Sequence, residues 1–387
     1  MIRVGRYTAA LLLLTVGVLL FLDLSMHTYF LSVMFKWWPM LLIVFGCEFL
    51  FAAMRSRNEP SRLRIDFGSL FFSALLAVVV VAATQTSLLA PLINQFGVAV
   101  SDESGSTFGK ETVHIPLRDD TESIIITNEN GDVTLQSGDV AAIEIRATVM
   151  VSGDDEHARR IADESTIAYE GERTLQITAQ GKDYKVLGLK RKPRMNLDIT
   201  VPRTSDADKE LRAMNGSISV SNIIGSVKAD TVNGKATVRH IDGSVELHSV
   251  NGSLTAEEIT GDVKMDTING KITGTRLRGS VSAHTTNGAI SLQEVAKAVH
   301  ADTTSGGIYV SSGTVGGDWK LQTTIGSVEL KVPENGDYRV EGKTKLGSAK
   351  TNLPLAATKR AISGTIGRGT YQINVDASGS IAINKTQ

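Results

Sequence analysis

Acids and imidazoles alternate along this chain at a fixed interval. Asp230, His248, Asp266, His284 and Asp302 are each separated by eighteen residues, and Glu246 lies two residues before His248. Such side chains offer the oxygen and nitrogen donors that zinc and similar metals take, so His248, Asp266 and His284 are candidate metal ligands. The competing reading is a solvated ladder in which each His keeps one Asp from stacking on the next. A flat face converges ligands poorly, and we favour the ladder. A polysaccharide lyase or hydrolase would need a local cluster of carboxylates, or a basic residue with a metal. Here the acids are spread along the chain, and no Gly-x-Ser-x-Gly, His-Glu-x-x-His or phosphate-loop pattern occurs. The expectation is a protein without catalysis and without a cofactor. Which reading holds depends on the elements that carry these residues.

Those elements are announced by glycine. Gly216, Gly225, Gly234, Gly243, Gly252, Gly261, Gly270, Gly279 and Gly288 are always nine apart. Asn215, Asn233, Asn251, Asn269 and Asn287 precede alternate members, so the true period is eighteen, built of two similar nonads. Apolar residues fall two, four and seven places after each glycine, as in Ala236, Val238 and Ile241, or Val245, Leu247 and Val250. A step of two is a strand with one buried face. A step of three would flip the side chain outward, so the backbone is expected to bend between the fourth and seventh places. Glycine is expected to relieve positive φ at the corners.

Asn-Gly between alternating runs also suits hairpins. The outward positions decide against them. Lys228, Glu246, Lys264, Ser282 and His300 form one column, and the Asp/His series forms another. Like charges never stack down either column, which has value only if residues a period apart are neighbours. A third column, Ser219, Thr237, Thr255, Thr273 and Ser291, is hydroxyl throughout. The chain therefore reads as an all-β parallel β-solenoid, each coil holding two strands and two corners, with the Asn column as an amide ladder at one corner. One coil cannot offset its chain entropy, so at least three must stack between caps.

The hydrophobicity lies elsewhere. Apolar stretches at about 7–22, 37–54 and 68–92 approach or exceed the length of a membrane-spanning helix. Arg3 and Arg6 precede the first, and Arg55, Arg57, Arg62 and Arg64 lie between the second and third. The positive-inside rule gives a cytoplasmic N-terminus and an extracytoplasmic C-terminal part. The solenoid is thus preceded by an α-helical transmembrane region of three spans. The only cysteine, Cys47, falls in the second stretch, so no disulfide framework is available within one chain. A net charge of −1 gives no reason to expect nucleic acid as a partner.

Two resemblances follow. "GVLLFLDLSMH" and "FKWWPMLLIVFGCEFLF" resemble the two-helix membrane unit of Lia-type (LiaI/LiaF-like) envelope-stress proteins, with Gly17, Asp23, Trp38, Pro39 and Gly46 in the expected order. "NENGDVTL", "LDITVPRTSDADKELRAMNGSISV", the "VNGKATVRHIDGSVEL" repeats and "VDASGSIAI" resemble the DUF4097-type adhesin-like family of bacterial β-solenoids, from about residue 110 to the end. That resemblance implies a parallel β-helix in a bacterial envelope.

The expected organisation is a transmembrane region over 1–95, a linker over 96–109 and irregular β coils with a cap over 110–212. A regular eighteen-residue solenoid over 213–312 and C-terminal coils with a cap over 313–387 complete it. The expected protein is a multi-pass membrane protein displaying an extracytoplasmic solenoid for binding or adhesion, without enzymatic activity. A regulator of an envelope-stress response, acting through its spans, is the second reading, and a polysaccharide-acting enzyme the third. Expected partners are the membrane and an envelope polymer, a surface protein or a membrane-embedded stress sensor.

Overall fold

The structure, a computed structural model, describes residues 105–386 apart from 119, 153–154 and 187–188, together with two short strands, Arg3–Val4 and Arg64–Ile65. The chain divides into two compact units, Met1–Ser104 and Gly105–Gln387. In the first unit the two short strands pair in parallel, Arg3 opposite Arg64. The three apolar stretches lie outside the described residues. Among the described residues no helix is long and apolar enough to cross a membrane.

Among its described residues the second unit is all-β apart from one helix, α1, at Asp155–Glu164. Among the described residues two fourteen-stranded sheets carry nearly all its strands, with a separate antiparallel pair, Tyr184–Val186 and Leu189–Arg191. From Asp208 to Val332 the chain alternates strictly between them, one strand in each per coil. The strands Val227–Asn233, Val245–Asn251, Val263–Asn269 and Val281–Asn287 lie in one, here the Asn sheet. Ala236–Asp242, Leu254–Ile259, Ile272–Leu277 and Ile290–Val295 lie in the other, the hydroxyl sheet. Every pairing in this stretch is parallel and in register, with Val227 on Val245, Val245 on Val263 and Ala236 on Leu254. The step of two drives this arrangement: Val227, Ala229, Val245 and Leu247 turn inward and are buried. Small and large side chains meet in the narrow core, where Ala229, Ala256 and Ala283 share space with Leu247, Met265 and Leu292.

Two sequence expectations are corrected. In the Asn sheet the backbone does not bend before the seventh place. The strand runs straight on, the sixth place turns in, and the apolar seventh place is exposed: Val232, Val250 and Ile268 face outward. The buried sixth place is a hydroxyl, Thr231, Ser249, Thr267 or Thr285, and each donates to the carbonyl of the corner glycine fifteen residues earlier. That bond makes burial of a polar group tolerable. In the hydroxyl sheet the bend is present, but glycine does not make it. Asn222, His240, Glu258, Arg276 and Glu294, one per coil, hold φ of 54–57°, so Ile241 can return to the core.

Among the nine evenly spaced glycines only Gly225 (φ 98°) is left-handed. The others are required by close approach. A Cβ on Gly261 would stand 2.6 Å from the Gly243 carbonyl, because corners stack backbone on backbone.

The ends close the tube differently from its middle. Arg194–Pro202 pairs antiparallel with Ile143–Val151. Lys110 donates through Nζ to the carbonyls of Ala162 (2.8 Å) and Asp163 (3.0 Å), capping the C-terminus of α1, whose last turn holds no basic residue. At the other end the final strands are tucked inside the stack. Tyr371–Ala377 lies between Trp319–Ile325 and Tyr338–Thr344, and Ile381–Lys385 between Val328–Val332 and Ala349–Thr351.

Candidate functional site

The outward positions of the Asn sheet bring the chemical residues together. Asp230 pairs with His248, His248 with Asp266, Asp266 with His284, and His284 with Asp302, all on one face. The neighbouring column runs Glu210, Lys228, Glu246, Lys264, Ser282, His300 and Lys320. Charges are satisfied both along and across rungs. Lys264 Nζ donates to Glu246 Oε1 at 2.8 Å and lies 3.7 Å from Asp266. His248 Nε2 lies 2.9 Å from Glu246 and its Nδ1 3.4 Å from Asp266. Lys264 and then His248, both hydrogen-bonded to it, hold the Glu246 carboxyl down at about 2.

This geometry bears on the metal candidates. Both ring nitrogens of His248 face carboxylates, Glu246 and Asp266, and His284 Nδ1 faces Asp302 at 3.2 Å. The ladder thus engages the donor atoms a metal would take. Among the described residues no group of three or more His, Cys, Asp or Glu is arranged to hold a metal ion.

Beside the columns runs a groove of about 910 Å³, parallel to the stacking direction. Its floor is the corner that opens each Asn-sheet strand, lined by Ser226, Ser244, Asp262, Ser280 and Ala298. Lys228, Glu246, Lys264, Ser282, His300 and Lys320 also line it. Four of these five floor residues are small, and Asp262 places a carboxylate among them. At one end Lys209 is buried, its Nζ donating to the carbonyls of Ser205 (2.9 Å) and Ile224 (2.8 Å). Burial pulls this ammonium down to about 8. Ser205 Oγ, beside it, is buried without a hydrogen-bond partner.

The Asn column forms a continuous amide ladder. The Nδ2 of Asn233, Asn251, Asn269 and Asn287 each donates to the Oδ1 of the Asn one coil earlier at 2.9 Å. Met214, Val232, Val250 and Ile268 are exposed next to it.

A second charged strip was missed by sequence reasoning. At the left-handed corner Arg239 faces Glu257 (3.3 Å), His240 faces Glu258 (2.8 Å), and Arg276 reaches both Glu257 and Glu258. The available signal was the pair of polar residues inside each step of three, as in Val238-Arg239-His240-Ile241.

Parallel in-register strands, two facing sheets and repeating polar columns define a two-sheet β-solenoid. The chain belongs to the DUF4097 Toastrack family, whose model matches residues 121–384. Residues 8–102 match the LiaF transmembrane domain. Among solved structures, a candidate adhesin from Bacteroides fragilis shares 12% identity over 73% of this chain and 97% of its own, with a TM-score of 0.37. A candidate lipid-binding protein from Parabacteroides distasonis shares 13% over 74% and 98%, with a TM-score of 0.36. A candidate cell adhesion protein from Clostridium sporogenes shares 12% over 73% and 100%, with a TM-score of 0.26. At those values the solved structures carry no argument about function. No curated protein matches the chain.

Proposed function

We propose that this is a multi-pass envelope protein whose extracytoplasmic solenoid binds an envelope component through the Asn-sheet groove, without turning it over. The observation that carries this reading is the groove itself: about 910 Å³, lined coil after coil by the same series of small, valine and charged positions in register. Repetition of one chemistry suits a repetitive or extended partner, whereas catalysis needs one unlike cluster. The match of residues 8–102 to the LiaF transmembrane domain supports membrane anchorage by the three spans. The pairing of Arg3–Val4 with Arg64–Ile65 supports an N-terminus and second loop on the same, cytoplasmic, side.

The same LiaF match favours a second reading, in which the spans contact a membrane-embedded stress sensor. Two variants separate them in cells. Deleting residues 96–387 abolishes surface binding but spares regulation through the spans. Replacing the spans with an unrelated anchor does the reverse. Crosslinking in intact membranes, followed by pulldown, then recovers an envelope component in the first case and a membrane protein in the second. Turnover of an envelope polymer that stops when one or two outward acids are replaced would refute the binding reading.

A further inference from the structure

One short segment of the second unit is strongly basic. From Lys182 to Arg194 stand six cations and a single acid, Asp183. This segment carries the separate antiparallel pair Tyr184–Val186 and Leu189–Arg191, which belongs to neither large sheet. A two-stranded ribbon on its own is marginally stable in water. Three of the cations are engaged locally: Lys182 with Glu164 (2.8 Å), Lys192 with Glu129, and Arg194 with Asp132 (2.7 Å). Asp183 adds its charge to the surroundings of Lys182 and Lys192. Lys185 and Lys190 differ from these. They stand directly opposite each other in the ribbon, both are exposed, and among the described residues neither makes an ion pair. Like charges directly opposed destabilise a strand pair. The sequence between them, Val-Leu-Gly-Leu, brings no acid.

The base of the ribbon lies beside the point where the second unit begins. Thr107, in the strand Ser106–Gly109, and Arg194 both pair with Met150, from opposite sides of one strand. Two strand spacings, roughly 9.6 Å, separate them. Tyr184 is buried, and its hydroxyl accepts from the Ser152 amide at 3.3 Å, which fixes the ribbon to that end. Upstream, about fourteen residues separate the third apolar stretch from Ser106, a tether of at most roughly 50 Å when fully extended. With residues 8–102 matching the LiaF transmembrane domain, a bilayer surface stays within reach at high effective concentration. We propose that Lys185 and Lys190 dock on the anionic lipid headgroups of the bilayer that anchors the chain. Two ammonium groups side by side repel each other in water. Phosphodiester oxygens lying between them turn that repulsion into attraction. Each lysine held at an anionic bilayer surface gains a factor of about five. An acidic protein surface offers similar oxygens, but only the bilayer is tethered to the ribbon by the chain itself. This site rests on the membrane anchorage and is independent of the groove.

The test is hydrogen–deuterium exchange of the full chain in lipid nanodiscs, read over residues 182–194. Exchange there is expected to be at least about fivefold slower in discs with one third phosphatidylglycerol than in discs of phosphatidylcholine alone. The difference disappears in the Lys185→Gln/Lys190→Gln double variant and shrinks in high salt. A Lys343→Gln/Lys350→Gln control, on strands at the far end of the stack, keeps it. Circular dichroism confirms that each variant is folded. Lys185→Glu separates docking from the strength of the ribbon. Its pairing with Lys190 slows exchange in neutral discs, yet the response to phosphatidylglycerol is lost. Equal exchange in the two kinds of disc, or a difference that survives in the double variant, overturns the proposal. So does equal slowing in neutral discs by inorganic phosphate or by a soluble acidic peptide. The first would make the lysine pair a free-anion site, and the second a docking site for a protein.

Discussion

Among the described residues, five that are not glycine carry an uncommon backbone. Asn222, His240, Glu258, Arg276 and Glu294 adopt left-handed φ although none is glycine. An L-residue there costs roughly 1–2 kcal/mol, and a β-branched one more. Glu294 has no ion pair among the described residues, so it isolates the backbone effect. Glu294→Gly should be neutral or stabilising by up to about 1 kcal/mol, while Glu294→Val should destabilise by about 1–2 kcal/mol. Chemical denaturation of the two variants measures the difference. Lys209 makes a prediction about pH. Its ammonium is pulled from 10.5 to about 8 by burial. Between those values the unfolded chain keeps a proton that the folded chain has released, so this residue makes stability rise with pH across that window. Lys209→Met should remove that rise from the difference between the two stability profiles.

Between strands, the Glu246 rung ties two successive coils together. Its carboxyl sits near 2 rather than 4.5 because Lys264 and His248 hold the charged form. The folded state therefore binds fewer protons than the unfolded one over that range. The contribution is fully present above about pH 4.5 and is lost as the pH falls toward about 2. Glu246→Gln should flatten acid denaturation in that window, with a modest loss near neutrality because the rung is partly exposed to solvent. The tucked-in terminus predicts more. Trp319 is buried and lies beside Ile373 of the final coil, donating through Nε1 to the Lys297 carbonyl at 2.9 Å. Ending the chain at residue 370 removes strands from within the stack. Trp319 fluorescence should shift to the red and the C-terminal strands should lose cooperativity, read in a background lacking Trp37 and Trp38. A terminus merely laid on the outside would leave that spectrum unchanged.

For the whole molecule, the stacking was legible because outward charges alternate with a period of eighteen: Lys228, Glu246 and Lys264 make sense only as neighbours. The core was legible at Val227, Ala229, Val245 and Leu247, where the step of two is strict. It was misread at Val232, Val250 and Ile268. Apolarity there suggested burial, while a corner carbonyl able to accept from Thr231, Ser249 or Thr267 is invisible in a sequence. The glycines were placed correctly but for the wrong cause: contact between corners is a property of the stack, not of the turn. The groove could not be read at all, since it arises from small floor residues of successive coils.

The stacking in register is what every functional statement depends on, and distances along it can be measured directly. Spin labels at Lys228 and His300, and separately at Glu210 and Lys320, in a Cys47→Ser background, sample four and six coil intervals. The account predicts narrow distributions centred near 19 Å and 29 Å, widened by the label tethers, one strand spacing per coil. Two equal distances, or broad distributions that do not grow with the number of coils, would contradict it.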